Sequence, residues 1–418
     1  MPVVVIADTT KGLRTALEDV FAPYGGLETV IPKNGGTVYV KPNGVHFTPY
    51  SHTDPDVLDA LLSYLRDHSY TRLAVMENCT GGNFTRLVFK VTGYDRICQR
   101  YGAEAVYLDE GRTVGIDLRD GSRVRIPQRL RDEIIGRSDG PSSGSRRNYY
   151  LSLPKLKTHP MATVTLGIKN QQAFPVDADR MEWHSHGTLH QRLAALYDLT
   201  RPDFTIVEGL TATAYGGSDT LAVDVVGARV LGYGLDEVEH LRLCAEWGLG
   251  QGDLDRIDVR GLPLSGFTER VPHALLPIRH PDVRWVVGRD RACVEGCRGN
   301  SECIEGMLYH DHGGEGGWTL VCGSGFESAD LDQLPGGILV VGLCACEEAL
   351  PTLRQRYPDR KLFAIPEHND LMTNTRYHAR LMGVTPVDMV PLNPLVSALT
   401  LLQARMHGLT ARVPPLLG

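Results

Sequence analysis

Lys155, Lys157 and His159 stand at alternate positions in the stretch LSLPKLKTHPMATVTLGIKN, Leu151 to Asn170. Alternate side chains of an extended chain share a face, so the three are expected to project together. Pro160 biases His159 towards extended backbone and suits the first turn of any helix that starts there. Two cations and a histidine close to a helix start would make a site for an anion, whether carboxylate, phosphate or an enolate formed during reaction. Lys169 and Asn170 supply a second polar pair after the apolar Val164, Leu166 and Ile168. The plainer alternative is a solvated strand end, because lysines ordinarily stay in water. Read as a site, His159 is the group for proton transfer, since imidazole titrates nearest neutrality. Lys157 and Lys169 join it as catalytic candidates, with Lys155 and Asn170 as substrate-binding ones.

These residues need a scaffold, and the flanking pattern supplies one. Short apolar runs at Val3 to Ala7, Thr37 to Val40, Arg72 to Met76, Ala105 to Leu108 and Phe204 to Glu208 alternate with helical patterns. Among the helices, Asp56 to His68 is introduced by an Asp54 cap and Pro55. The rhythm predicts an α/β fold with a mainly parallel, doubly wound sheet, whose ligands bind beyond the carboxyl ends of the strands. Unusual polar residues cluster at those ends: Lys41 and Asn43 as substrate binders, and Glu77 as a second acid–base group beside Asn78. Further on, GGSDTLAVD offers Asp219 as a helix cap or substrate contact. It also places Asp224 among valines, as the alternative to Glu77 for the second acid–base group; a buried carboxylate needs a partner, and a central lysine is the expected one. In WHSHGTLH, His186 is a candidate to face substrate, and a metal reading of His184, His186 and His190 lacks a recognised spacing.

At 418 residues the chain is too long for one core. Domains are expected over 1–265 and 284–418, joined by a Pro-rich link over 266–283, the second a smaller α/β unit of flavodoxin-like type. A net charge of −7 argues against a nucleic-acid binder. No apolar run is long enough for a membrane helix, and MPVVVIADTTKGLR reads as a first strand with no basic leader. A cytoplasmic protein is therefore expected. Six of the nine cysteines follow residue 290, which in such a chain favours thiols or ligands over disulfides. Cys293, Cys297, Cys303, Cys344 and Cys346 are candidate metal ligands, in particular for a 4Fe-4S cluster. Their spacing matches neither a ferredoxin run nor a paired CxxC zinc site, and buried core thiols are the competing reading.

Taken together, KPN at Lys41 to Asn43, TDP at Thr53 to Pro55, LPKLKTH at Leu153 to His159, TLGIKN at Thr165 to Asn170 and SDTLAVD at Ser218 to Asp224 form an ordered set. In order and spacing the set resembles the domain-of-unknown-function family numbered 362, over roughly residues 35 to 262. The resemblance implies an α/β fold and a soluble bacterial or archaeal protein, without a settled activity. Many relatives carry an appended ferredoxin-like segment and an iron–sulfur label. This chain has no CxxCxxCxxxCP segment, so that label does not transfer. The second domain resembles a cysteine-bearing module of some relatives at GLCACEE. Where they have a Gly-Cys-Pro-Pro turn, this chain has Pro366-Glu367-His368-Asn369.

The leading expectation is an enzyme, of lyase or isomerase type, that binds a small anionic metabolite between two α/β domains. It would carry out isomerisation, dehydration or cyclisation, and an open iron of a cluster would serve a dehydration as Lewis acid. The rival readings are an iron–sulfur electron-transfer or metal-carrier protein, a nucleotide-binding module, and a cofactor-free binding protein. The nucleotide reading lacks both GxGxxG and GxxxxGK[ST]. Nucleic-acid and membrane partners are not expected, and a homo-oligomer stays open.

Overall fold

The computed structural model describes residues 1–48, 50–80, 82–136, 147–183, 187–209, 213–272, 279–294, 296–368 and 370–413. The strands of the first domain are β1 (Val3–Asp8), β2 (Val38–Pro42), β3 (Leu73–Glu77), β4 (Glu104–Tyr107), β5 (Thr113–Asp117), β6 (Arg123–Pro127), β7 (Tyr149–Leu153), β8 (Lys157–His159), β9 (Thr163–Thr165), β10 (Phe204–Glu208), β11 (Thr213–Gly217) and β12 (Asp258–Gly261). Eight of them form one sheet in the order β12-β1-β11-β10-β7-β2-β3-β4. All run parallel except β11, which is antiparallel to both of its neighbours. The hairpins β5–β6 and β8–β9 stand apart from this sheet.

Alternation along the strands fills two layers, as a sheet covered on both faces requires. Val38 and Val40 of β2 with Leu151 and Leu153 of β7 pack on one face, against Leu58, Leu61 and Leu62 of the helix Pro55–Asp67. Tyr39 and Tyr150 pack on the other, with Phe174 and the helix Leu189–Thr200. Local signals act where expected. Asp54 caps the helix Pro55–Asp67 through Asp56 N. Gly93, at φ 81°, divides the helical run into Thr85–Thr92 and Tyr94–Arg100.

The second domain has four parallel strands in sequential order, β13 (Val283–Val287), β14 (Trp318–Cys322), β15 (Ile338–Val341) and β16 (Leu362–Ile365). Leu308 of the helix Cys297–His312 packs with Ala379 and Met382 on one face, and the helices Leu343–Glu348 and Leu350–Arg356 cover the other. Beyond the last strand of this sheet lies the short helix Pro386–Met389, started by proline and a Thr385–Asp388 capping box. The last helix, Pro394–Met406, returns to the first domain, where Leu401 and Ala404 pack with Phe84 and Leu87.

Candidate functional site

Strand order sets where a ligand can sit. After β2 the chain moves to β3 on one side, whereas after β7 it moves to β10 on the other, and β2 and β7 are hydrogen-bonded neighbours. This is a topological switch point, where a crevice opens beyond the strand carboxyl ends. A cavity of about 110 Å³ lies there, lined by Lys41, Asn43, Glu77, Asn78, Lys157, His159, Lys169 and Asn170 of the first domain. Asn300 and Leu371 of the second domain complete the wall.

The floor is a closed polar network. Lys41 is fully buried, and its Nζ donates to both carboxylate oxygens of Glu77 at 2.9 and 3.0 Å and to Asn170 Oδ1 at 3.0 Å. Glu77 also accepts from the backbone N–H groups of Gly44 and Asn78, at 2.6 and 2.8 Å. A Cβ on Gly44 would lie 2.8 Å from Glu77 Cγ, so glycine lets the KPNG turn close over the carboxylate. Asn170 Nδ2 donates to Lys41 O and to Ser152 Oγ, tying the central stretch to β2 and β7. Lys41 is thus a supporting ion-paired residue, although burial lowers its pKa against the opposing pull of Glu77. Thr53 of the TDP turn accepts from Asn43 N and donates to Leu153 O, fixing the loop that carries Asn43.

Two further lysines have different surroundings. Lys157 Nζ donates to Asn43 Oδ1 at 3.4 Å and to Ser51 O. Lys169 Nζ donates to Gln172 Oε1. Arg180, which also lines the cavity, is neutralised by Asp177 at 3.0 Å, as Lys41 is by Glu77. Among the described residues neither Lys157 nor Lys169 has a carboxylate at salt-bridge distance. Burial first, then the neighbouring Lys155, pushes Lys157 down to about 8. Burial, then Lys157, Arg180 and Lys41, pushes Lys169 down to about 7. His159 Nδ1 accepts from the backbone N–H of Met161 and Ala162 at 3.1 and 3.2 Å. The proton of the neutral ring therefore sits on Nε2. Pro160 lies in the turn between β8 and β9 and starts no helix; the helical turn begins at Gly167.

Other expected site residues are placed elsewhere. Lys155 does not line the cavity and is paired with Glu208, which also accepts from Asp54 N. Asp224 has no lysine partner: its two oxygens accept from Gly167 N and Ile168 N at 2.8 and 2.7 Å. It acts as a remote cap for the turn Gly167–Asn170, which has no side-chain cap of its own, and burial pushes it up to about 7. Its role is to hold the backbone from which Lys169 and Asn170 project. A Cβ on Gly167 would lie 2.6 Å from Thr220 and 3.0 Å from Asp224, so glycine is needed for this approach. Asp219 caps the helix Thr220–Val230 through Ala222 N and accepts from Gln251 N. Because β11 runs antiparallel, Asp219 leaves the sheet at the end opposite the cavity. His184 and His186 fall outside the described residues. His190 stacks on His240 at a centroid distance of 5.7 Å, away from the cavity wall.

The five cysteines do not form one set. Arg291 hydrogen-bonds Cys293, which raises the arginine's pKa, with smaller electrostatic contributions from Cys344 and Cys297. Cys297 Sγ lies 2.8 Å from where a Gly342 Cβ would be, directly beyond β15. Cys346 is a buried core residue packed with Ala345 and Ala349. Cys303, six residues beyond Cys297 on one helix, lies roughly 240° around it. Three thiols are the right donors for a cluster. Among the described residues, however, no three His, Cys, Asp or Glu side chains are positioned to hold a metal ion.

Arg180 and Asn300 are cavity residues that gave no functional signal of their own in the sequence. Asp177–Arg180 reads as an ordinary helical pair, and Asn300 reaches the site only because two domains meet. No helix among the described residues is long and apolar enough to cross a membrane. No curated protein matches the chain. Residues 38–238 match the family model described as Domain of unknown function (DUF362). That span runs from the start of β2 past the helix Thr220–Val230 and holds every first-domain residue of the cavity wall. By that match, the chain's first domain belongs to the DUF362 family.

Proposed function

We propose that the protein is an enzyme that binds a small anionic substrate in the cleft between its two domains and performs acid–base chemistry on it. The observation that carries this reading is the pair Lys157 and Lys169, cations held in a cavity at the switch point without a carboxylate of their own. Taking an ammonium group out of water is costly, and an anionic ligand offsets that cost. The charges of Lys157 and Lys169 also favour loss of a proton from carbon beside a carbonyl, because they neutralise the enolate that forms. His159 returns a proton from Nε2. Isomerisation, dehydration and cyclisation all begin with such a step.

The test couples binding to protons. An anion raises the pKa of both lysines, so its binding takes up protons above pH 7. For malate, whose own charge is constant in this range, affinity is expected to fall by at least about tenfold from pH 6.5 to 8.5. Titration calorimetry in buffers of different ionisation enthalpy reads the proton uptake, and Lys169→Met removes most of it between pH 7 and 8. Malate binding that ignores pH and survives Lys157→Ala would sink the proposal. So would full turnover of an identified substrate by both Lys157→Ala and His159→Ala.

A second reading, an iron–sulfur protein, is supported by Cys293, Cys344 and Cys297 all acting on Arg291, Cys293 through a hydrogen bond. When bound, a cluster would supply electron transfer or a Lewis acid. This reading expects anaerobically purified protein to contain iron and acid-labile sulfide, lost in Cys297→Ser and kept in Cys346→Ser. Folded protein that takes up neither iron nor sulfide on reconstitution would exclude it.

A further inference from the structure

Three buried polar residues of the cavity wall each carry a side-chain atom that has no hydrogen-bond partner among the described residues: Asn78 Oδ1, Thr165 Oγ1 and Asn300 Nδ2. Their residues are 3, 3 and 5 % exposed. Such atoms are rare in folded proteins, because each leaves a desolvation cost uncompensated. The orientation of Asn78 is fixed independently, since its Nδ2 donates to Pro175 O at 3.3 Å. Its Oδ1 is therefore an acceptor waiting for a donor. A carboxylate, which only accepts, cannot satisfy it, and the ammonium groups of Lys157 and Lys169 are taken by the ligand's anionic group. The Thr165 hydroxyl can donate or accept, and the Asn300 amide comes from the other domain, in the first turn of the helix Cys297–His312.

One ligand group serves this set. A hydroxyl donates once and accepts elsewhere, so it can give its proton to Asn78 Oδ1 while accepting from Thr165 or Asn300. We infer that the substrate is a small hydroxy acid. Its anionic group is held by Lys157 and Lys169, and its hydroxyl is read by Asn78, Thr165 and, across the domain boundary, Asn300. The cavity's volume of about 110 Å³ suits an acid of a few carbons, since a water molecule takes up roughly 30 Å³. This inference rests on the anion-binding reading above and adds to it which neutral group the site demands.

The experiment compares acids that differ by one hydroxyl, on the full chain: malate against succinate and lactate against propionate, by titration calorimetry near pH 6.5. The hydroxylated member of at least one pair is expected to bind about 10- to 100-fold more tightly. That ratio is expected to collapse to within about threefold in Asn78→Ala, while the deoxy acid keeps its wild-type affinity. Asn300→Ala reduces the same ratio without a first-domain change, and thermal melting of each variant reports whether it is folded. If both members of each pair bind equally, water fills the hydroxyl position; the inference is then overturned and the anion reading stands. If no acid binds, the anion reading itself has failed and this inference with it.

Discussion

Glu77→Gln lowers stability by about 3–5 kcal/mol, the cost of stranding one member of a buried ion pair. In the native protein Glu77 oxygens accept from Lys41 Nζ, Gly44 N and Asn78 N. A glutamine amide, in either orientation, turns one N–H₂ towards these donors, so at least one backbone N–H loses its acceptor while Lys41 loses its counter-charge. Lys41 cannot reach water, being fully buried beneath Asn170 and Phe174. Denaturant unfolding followed by intrinsic fluorescence measures the change in the first domain. The double variant Lys41→Met with Glu77→Gln is expected to recover most of the loss, since the charge and its partner leave together. A Glu77→Gln protein within about 1 kcal/mol of wild type would mean that the pair contributes little and that Lys41 is neutral in the fold.

The sequence disclosed this pair only halfway. Lys41 and Glu77 stood out as charged residues at the ends of apolar strands, which identified the correct edge of the sheet. Nothing local said that they would meet, because β2 and β3 become neighbours only when the parallel sheet forms. Asp219, read as a helix cap or a substrate contact, is the cap, and β11 is the reason that it is not a contact. Thr213–Gly217 contains two glycines where a strand pattern would show branched residues. A Cβ on Gly216 would lie 2.2 Å from Val20, so the glycines admit the helix Leu13–Phe21 close to the sheet and in doing so disguise the strand. An unseen antiparallel strand reverses which end of the sheet follows it. Asp224 shows a related limit. A buried carboxylate was expected to find a cation, yet it satisfied the N–H groups of a helical turn, a partner that no side-chain pattern announces. In the second domain Cys344 and Cys346 both stood as candidate metal ligands, but Leu343–Glu348 is helical, which directs Cys346 into the core.

Lys169→Met is expected to make the protein more stable and less able to bind. The direction follows from proton linkage. The Lys169 amine sits near 7 in the fold, against 10.5 as its ordinary value, so between these pH values the unfolded chain holds more protons than the folded one. Wild-type stability therefore rises as pH climbs through that window and is lowest, for this group, at and below neutrality. Methionine has similar length and carries no charge to desolvate. Its cost is that Gln172 Oε1 loses the Lys169 donor. The balance is a gain on the order of 1–3 kcal/mol at pH 7, with a flatter stability curve from pH 7 to 10. Malate affinity falls by about 100-fold or more. The two effects have a common origin: the fold bears an unneutralised cation that only a ligand neutralises, as in other sites that trade stability for chemistry. Denaturation curves at pH 7 and 9.5 on both proteins decide the matter. A Lys169→Met variant that is less stable than wild type at pH 7, and binds malate as well, would mean that Lys169 is a structural residue and that the anion is held by Lys157 alone.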